Sequence, residues 1–179
     1  MEKTKVDPSK YLSQVDRILK KIGLLLVSTN KEGTSNVMTI GWSLFGILWD
    51  MDFVMVAVRP SRHTFNFIED TGEFTINVPT LDMADVLEYC GTVSGRDEDK
   101  FVQMGLDLLK GTSVSVPIIK QCFLHFECQV AYKTRLIRES IPKEIILDRY
   151  PKGDFHTLYF GKILNVLADK NISSKIKLL

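Results

Sequence analysis

The chain has 179 residues, of which 45% are hydrophobic and 25% are charged, a balance typical of a globular protein with a sizeable core. Its formal net charge of +1 excludes a general electrostatic attraction to nucleic acid or to an anionic membrane, so any anion site has to be local. The three cysteines are an odd number without metal-type spacing, which favours reduced thiols over a disulfide framework. We expect a single domain over residues 1–179, with no nucleic-acid partner.

No segment is predicted to enter a membrane. The charged start, residues 1–8, lacks the apolar stretch of a signal peptide. The most hydrophobic region, residues 44–58, is interrupted by Asp50 and Asp52 and is too short to span a bilayer. We therefore expect a cytoplasmic protein.

The first periodic segment is Ser9–Ile22, whose apolar residues recur at the spacing of one helical face. Ser9 offers an N-cap after Pro8, and Gly23 is expected to end the helix. Residues 1–23 are thus predicted to be an N-terminal helical segment that packs on the rest of the domain.

Strand-like segments dominate the remainder of the chain. The predicted strands are Leu24–Thr29, Ser35–Ser43, Phe53–Val58, Glu73–Val78, Phe123–Lys133 and Thr157–Leu167. Short helices are predicted at Arg62–Glu69, at Leu81–Cys90 with Gly91 as its end, and after Asp97. Because single helices are inserted among irregularly spaced strands, the pattern does not indicate repeated βαβ units. It predicts a mainly β fold, a mostly antiparallel β-barrel with peripheral helices.

A first candidate site is the segment 59–64, which follows a buried strand and opens a helix. Ser61 is predicted to cap that helix, with Thr64 at the third position of its first turn. Backbone N–H groups, two hydroxyls and the guanidinium groups of Arg59 and Arg62 would converge there, which is suitable chemistry for a phosphate. An ordinary capped helix with surface arginines is the alternative.

A second candidate is the polar segment 91–101. Gly91 and Gly95 allow tight turns and close approach of the backbone to a ligand. Its side-chain donors are Ser94, Arg96 and Lys100, and Asp97 is predicted to cap the helix that carries Lys100. A solvated surface loop is the alternative, and the spacing matches neither a P-loop nor a dinucleotide fingerprint.

Two further segments could line a pocket. In the strand 36–43, the small residues Thr39 and Gly41 leave room on one face for a flat ring, and Trp42 lies at its end; a plain core strand is the alternative. His156 precedes the last strand and is either a pocket residue or a structural one. The three histidines are not spaced as metal ligands, so we expect no metal. Cys90, near a helix C-terminus, is interpreted as a packing or ligand-lining residue and not as a nucleophile.

Taken in order, these segments resemble the flavin reductase-like FMN-binding family, which includes flavoredoxin. The similarity is carried by NVMTIGW at residues 36–42, VAVRPSRHTFNFI at 56–68, GEFTINVP at 72–79, CGTVSGRDEDKF at 90–101 and, less strongly, GDFHTLYFGKI at 153–163. Phe155 separates His156 from the Gly-Asp pair, after which the family commonly has its histidine directly.

The resemblance implies an FMN-binding split barrel that forms a homodimer, with the flavin near the subunit interface. The residues that it implies beside the flavin ring are Asn36, Met38, Thr39, Ile40, Gly41, Trp42 and Ser43. Those implied around the phosphate are Arg59, Ser61, Arg62 and Thr64, supported by Lys100. Those implied along the ribityl chain or ring edge are Asn77, Cys90, Gly91, Ser94 and Gly95, and His156 is implied to face the flavin or its nicotinamide partner.

Three functions follow from the resemblance. The first is an NAD(P)H-dependent flavin reductase, in which hydride passes to N5 of FMN and the electrons pass on. The second is a flavoredoxin-like electron carrier that holds FMN tightly, lacks a nicotinamide site and works with a redox protein. The third is a non-catalytic barrel in which flavin only stabilises the fold or a partner. No nicotinamide-specific motif separates them in the sequence.

Overall fold

The computed structural model describes residues 3–172. Its strands are β1 (Lys3–Lys5), β2 (Leu24–Thr29), β3 (Ser35–Ile40), β4 (Ser43–Leu48), β5 (Met51–Val58), β6 (Glu73–Val78), β7 (Leu108–Leu109), β8 (Ile118–Ile119), β9 (Leu124–Arg135) and β10 (Thr157–Asp169). Its α-helices are α1 (Leu12–Lys21), α2 (His63–Thr71), α3 (Ala84–Thr92), α4 (Lys100–Gln103) and α5 (Lys143–Arg149). Single 3-10 turns are found at Pro8–Lys10, Leu81–Met83 and Arg138–Ser140.

The main sheet is antiparallel and curls into a split barrel. Its strand order is β3-β2-β6-β9-β10-β5-β4, and β1 pairs with β10. The two end strands of this path, β3 and β4, are consecutive in sequence and are separated only by Gly41 and Trp42. Adjacent strands lie about 4.8 Å apart, so a two-residue connection is too short to join the two edges of a flat sheet of seven strands. The sheet therefore curls until β3 and β4 come close together, but no ladder of hydrogen bonds joins these two edges. The mainly β prediction is confirmed.

The core lies on both faces of the central strands. In β2, Leu24 and Leu26 pack inside the barrel, whereas Leu25 and Val27 pack on the outer face against α3 and the loops that follow it. This alternation is the period-2 geometry of a strand with two covered faces. Helix α1 places Val15 and Ile18 in the inner core, so the barrel interior is filled by protein.

The N-terminal helix is shorter than predicted. Residues 8–10 form a 3-10 turn whose N-cap is Asp7, and the Asp7 side chain accepts a hydrogen bond from the Ser9 N–H. The α-helix begins only at Leu12, so Ser9 as its N-cap was wrong; the carboxylate two residues earlier satisfies the first free N–H instead. Gly23, with φ of 89°, follows the helix end as predicted.

Two other boundaries also differ. The predicted strand 35–43 ends at Ile40, because the chain must leave one sheet edge and join the other. The predicted helix 81–90 is a 3-10 turn followed by α3, which continues through Gly91 to Thr92. A side chain at Gly91 would place its Cβ 3.3 Å from the Cβ of Thr39, so this glycine permits α3 to approach β3.

Within residues 3–172, every helix is too short or too polar to cross a membrane.

Candidate functional site

Two adjoining pockets form one groove beside the split in the barrel. Each has a volume of about 160 Å³, and both are lined by Met38 and Arg62. We call the pocket bounded by β3, the start of α2 and residues 90–96 the cationic end. We call the pocket beside Trp42 and His156 the ring end. Residues from four separate stretches of the sequence therefore converge on this groove.

The groove contains most of the predicted site residues. At the cationic end they are Asn36, Met38, Ser61, Arg62, Thr64, Cys90, Gly91, Ser94, Gly95 and Lys100. At the ring end they are Met38, Thr39, Ile40, Gly41, Trp42, Arg59, Arg62 and His156. Ser43 and Asn77 line neither pocket.

A buried hydrogen bond shapes the cationic end. The side-chain amide of Asn36 in β3 donates to Oγ1 of Thr64 in α2 at 2.7 Å, and both residues are buried. A Cβ on Gly95 would lie 2.1 Å from Oδ1 of Asn36, so only glycine permits this approach of the loop. The wall of the cationic end is thus fixed by packing before any ligand arrives.

Ser61 does not cap α2, contrary to the prediction. The N-cap is Arg62, which makes no side-chain capping bond, and the helix begins at His63, so Thr64 is its second residue. The Ser61 hydroxyl instead donates to Oδ2 of Asp154 at 2.6 Å, and the Ser61 N–H donates to Oδ1 at 3.3 Å. These charge-assisted hydrogen bonds hold the Ser61 side chain against Asp154, outside the first turn of the helix.

Lys100 lies at the cationic end, but its ammonium group already has hydrogen-bond partners within the protein. Its ammonium donates to the carbonyls of Cys90 at 3.0 Å and Val93 at 3.3 Å, and the residue is 3% exposed. Burial lowers the pKa of Lys100, and the nearby Arg62 adds to this effect. Lys100 therefore fastens the end of α3 to α4 and adds positive charge to the pocket wall.

The N-cap of α4 is Asp99 and not Asp97, because Asp99 lies directly before the helix and accepts from the next N–H groups.

Arg59 lies at the ring end, apart from the cationic pocket where a phosphate contact was predicted. Its guanidinium donates to the backbone carbonyls of Asp154 at 3.1 Å and Arg149 at 2.9 Å. The same group lies over the ring of Tyr150, 5.0 Å from the ring centroid. Two of its N–H donors and its planar face therefore already have partners among residues 149–154, and these contacts hold Arg59 at the ring end.

Two aromatic side chains, Trp42 and His156, line the ring end and are tilted relative to each other. The centroid of His156 lies 4.6 Å from that of Trp42, and Nδ1 of His156 lies 2.8 Å from the hydroxyl of Tyr150. Burial lowers the pKa of His156 to about 4, and the Arg59 charge adds to this effect. His156 is therefore a neutral imidazole at physiological pH.

Four residues that line the cationic end were not among those predicted as flavin contacts: His63, Thr92, Val93 and Arg96. Arg96 lines it and donates to the backbone carbonyl of Ser61 at 3.1 Å, which bridges the two loops. His63 also lines it, and burial together with Arg96 and Lys100 lowers the pKa of this imidazole. The sequence did indicate Arg96, as a side-chain donor in the 91–101 segment. For His63 it offered only the position next to Arg62.

Asn77 is not among the residues that line the groove, and its contact with the flavin stays a prediction. It is fully buried in β6, where its Oδ1 accepts from the Ile119 N–H at 2.8 Å and lies 2.8 Å from Nδ1 of His125. Its side chain faces the outer core because the strand alternates, and loop residues cover that face. Ser43 also lines neither pocket, and its hydroxyl donates to the Met55 carbonyl at 2.8 Å.

Cys90 lines the cationic end as a buried thiol. Burial raises its pKa to about 11, although the nearby Lys100 charge opposes this shift. The group is therefore a protonated, weakly reactive thiol. Among residues 3–172, no cluster of three or more histidine, cysteine or acidic residues could hold a metal ion.

The fold is an antiparallel split barrel, and its groove consists of a cationic pocket and an adjoining pocket lined by Trp42 and His156. Residues 21–179 match the family described as flavin reductase like domain. The chain belongs to this family of flavoprotein oxidoreductases.

Similar proteins include an uncharacterized protein of Archaeoglobus fulgidus, which is 34% identical over 131 residues; the match covers 73% of this chain and 64% of that one. Flavoredoxin of Desulfovibrio vulgaris (Miyazaki F) has a similar structure, with a TM-score of 0.66 and 22% identity, covering 82% of this chain and 69% of the other. The FMN-binding domain of a flavin reductases-like enzyme from Shewanella baltica gives a TM-score of 0.65 and 22% identity, covering 94% and 78%. Because both structures are 22% identical to this chain, the similarity establishes its fold alone.

Proposed function

We propose that the protein binds FMN in the groove and is an oxidoreductase of the NAD(P)H-dependent flavin reductase type. Hydride would pass from NAD(P)H to N5 of the flavin, and the electrons would then pass to an acceptor. The observation that carries this proposal is the junction of the two pockets at Met38 and Arg62. A ligand with a phosphate at one end and a flat heteroaromatic ring at the other matches the two chemistries of one continuous groove.

The cationic end supports binding of the phosphate. Arg62 and Arg96 both line it, and the ammonium of Lys100 adds a third positive charge to its wall. Charge-assisted hydrogen bonds from guanidinium groups to phosphate oxygens are among the strong ones in proteins. Since the net charge of the chain is only +1, this local cluster supplies the attraction.

The ring end supports binding of the flavin ring. Bound FMN supplies the hydride-accepting and electron-transferring chemistry, while the protein orients the ring and sets its electrostatics. Trp42 and His156 lie next to each other and offer flat surfaces on one side. Backbone N–H groups between Thr39 and Ser43 could stabilise negative charge on the polar edge of a reduced ring.

The contact between the cationic end and a phosphate can be tested by comparing the affinities for FMN and riboflavin. Arg62→Ala should weaken FMN binding roughly tenfold to a hundredfold, the scale of a lost hydrogen bond to a charged group. Riboflavin, which has no phosphate, should lose far less affinity. Arg138→Ala, in an exposed 3-10 turn, is the matched control. Equal losses for both ligands in a fluorescence titration would contradict the assignment of the cationic end.

The reductase and the electron carrier differ in their response to nicotinamide. The protein is loaded with FMN and mixed anaerobically with NADH or NADPH. Rapid bleaching of the flavin absorbance supports the reductase, and the faster of the two nucleotides identifies the donor. A yellow protein that is bleached by dithionite but by neither nucleotide would contradict the reductase and favour the flavoredoxin-like carrier. A colourless protein that does not take up FMN would contradict both.

We also propose that the protein forms a homodimer through the β4–β5 hairpin. Strand β4 is an end strand of the sheet, and Leu44, Ile47 and Trp49 on this hairpin are 67%, 77% and 59% exposed. Such an exposed apolar edge is normally covered by a partner. Ile47→Glu should shift the sedimentation coefficient towards the monomer, whereas Val102→Glu on α4 should not. A wild-type monomer at micromolar concentration would contradict the proposal.

The cytoplasm remains our proposed location. The cysteines Cys90, Cys122 and Cys128 are free and buried, which fits a reducing compartment. Cell fractionation with an antibody to the protein tests this directly, and recovery in a membrane or secreted fraction would contradict it.

A further inference from the structure

Tyr150 makes a specific contact with His156 in the wall of the ring end. Tyr150 is 3% exposed, and its hydroxyl lies 2.8 Å from Nδ1 of His156. The phenol ring stacks on Phe155 with a centroid distance of 4.7 Å, and the Arg59 guanidinium lies above it. Phe155 and the Arg59 guanidinium thus hold the Tyr150 ring in place, and its hydroxyl position is fixed relative to the imidazole.

The direction of this hydrogen bond follows from the partners that each group has. Within residues 3–172, the Tyr150 hydroxyl contacts no hydrogen-bond partner other than His156. If Nδ1 carried the proton, the buried hydroxyl hydrogen would have no acceptor, which is costly. If the hydroxyl donates to Nδ1, every buried group is satisfied, and an imidazole nitrogen is a better acceptor than a phenol oxygen.

The protonation states agree with this direction. Burial raises the pKa of Tyr150, so it remains a phenol with a proton to donate. The charged groups that act on His156 are Arg59, Arg62 and Asp154, and the two arginines disfavour an imidazolium. A neutral imidazole that accepts at Nδ1 must carry its proton on Nε2. In the part of the chain that the structure describes, Nε2 has no protein partner, and the imidazole lines the ring end.

We infer that Tyr150 is a positioning residue that holds His156 in the tautomer with the proton on Nε2, so that an uncharged hydrogen-bond donor faces the ring end. The ligand chemistry that this donor recognises is a hydrogen-bond acceptor: a ring carbonyl or ring nitrogen of a flavin, or the carbonyl oxygen of a nicotinamide carboxamide. Its use during electron transfer rests on the proposed function. The tautomer itself is a property of the protein alone.

The tautomer is tested first, in flavin-free protein. ¹⁵N-histidine-labelled protein is studied by long-range ¹H–¹⁵N NMR at pH 7, and His156→Gln identifies the signals of His156 among the three histidines. We expect a protonated Nε2 and an unprotonated Nδ1 in the wild type. Tyr150→Phe should mix the two tautomers, whereas Tyr159→Phe, which removes the hydroxyl of another buried tyrosine bonded to Glu69, should leave them unchanged. A proton on Nδ1 in the wild type would overturn the inference, and this result does not depend on whether Tyr150→Phe folds.

The second readout uses FMN-loaded protein. The reduction potential of bound FMN should fall in Tyr150→Phe and in His156→Gln but not in Tyr159→Phe, because a donor to the ring stabilises the reduced flavin. Equal potentials in the wild type and Tyr150→Phe would contradict the positioning role. If the protein takes up no FMN, the proposed function fails while the NMR result still decides the tautomer.

Discussion

The carboxylate of Asp154 accepts two hydrogen bonds from one residue, Ser61: one from its hydroxyl at 2.6 Å and one from its backbone N–H at 3.3 Å. Asp154 has a φ of 56°, and Gly153 before it has a φ of 75°, so the chain turns sharply here. The contact fastens the segment that carries His156 to the loop that opens α2. One acidic residue thereby joins the two ends of the groove.

Asp154→Ala should lower the free energy of unfolding by about 1–3 kcal/mol. It removes both acceptors and places a side chain without a local hydrogen bond in the left-handed region, which itself costs about 1–2 kcal/mol. Urea unfolding followed by circular dichroism measures the change. Asp154→Gly also removes the carboxylate but tolerates the positive φ, so it should be the more stable of the two variants. An alanine variant as stable as the glycine variant would mean that the backbone strain is not real.

Gly95→Ala should disrupt the cationic end. The added Cβ would lie 2.1 Å from Oδ1 of Asn36, whose amide is fixed by its bond to Thr64. We expect FMN affinity to fall at least tenfold, because the loop must move away from the pocket. Gly46→Ala is the control, since a Cβ there meets no atom within 4 Å. Titration of both variants with FMN decides the matter, and equal affinities would contradict the close approach.

Acid should destabilise the protein partly through His156. In the unfolded chain the pKa of this imidazole is near 6.5, whereas burial and Arg59 lower it to about 4 in the folded protein. Between these values the unfolded state binds more protons, so the free energy of unfolding falls as the pH drops from about 6.5 to about 4. His63 shifts in the same direction, so His156→Gln is needed to isolate the effect. We expect a shallower pH dependence in that variant by urea unfolding, and an unchanged slope would argue against a neutral His156.

The thiols should be unreactive in the native protein. Cys90 and Cys128 are buried, and burial raises the pKa of both. We therefore expect almost no reaction with Ellman's reagent at pH 8 within minutes, and reaction of three thiols per chain in urea. Rapid modification of one thiol without denaturant would contradict the packing of Cys90 against the groove.

The local pattern of the sequence determined much of the sheet. Strands β2 and β6 match their predicted bounds, because apolar runs with turn residues on both sides depend on burial and local geometry alone. The strand that carries Asn36 and the loop segments that carry Arg62 and Gly95 could also be recognised, since their donors and glycines lie in short continuous stretches.

Only the tertiary structure decided which of those groups face the groove. Arg59 and Arg62 are three residues apart and chemically identical, yet carbonyls and an aromatic ring from residues 149–154 hold Arg59 at the ring end. Asn77 lies in a strand of the right pattern, yet its side chain is bonded to the short strand β8 at Ile119, more than forty residues later in the chain. Hydrophobic periodicity and capping are local and can be read from the sequence, whereas the partner that satisfies a polar side chain comes from distant chain segments brought close by folding.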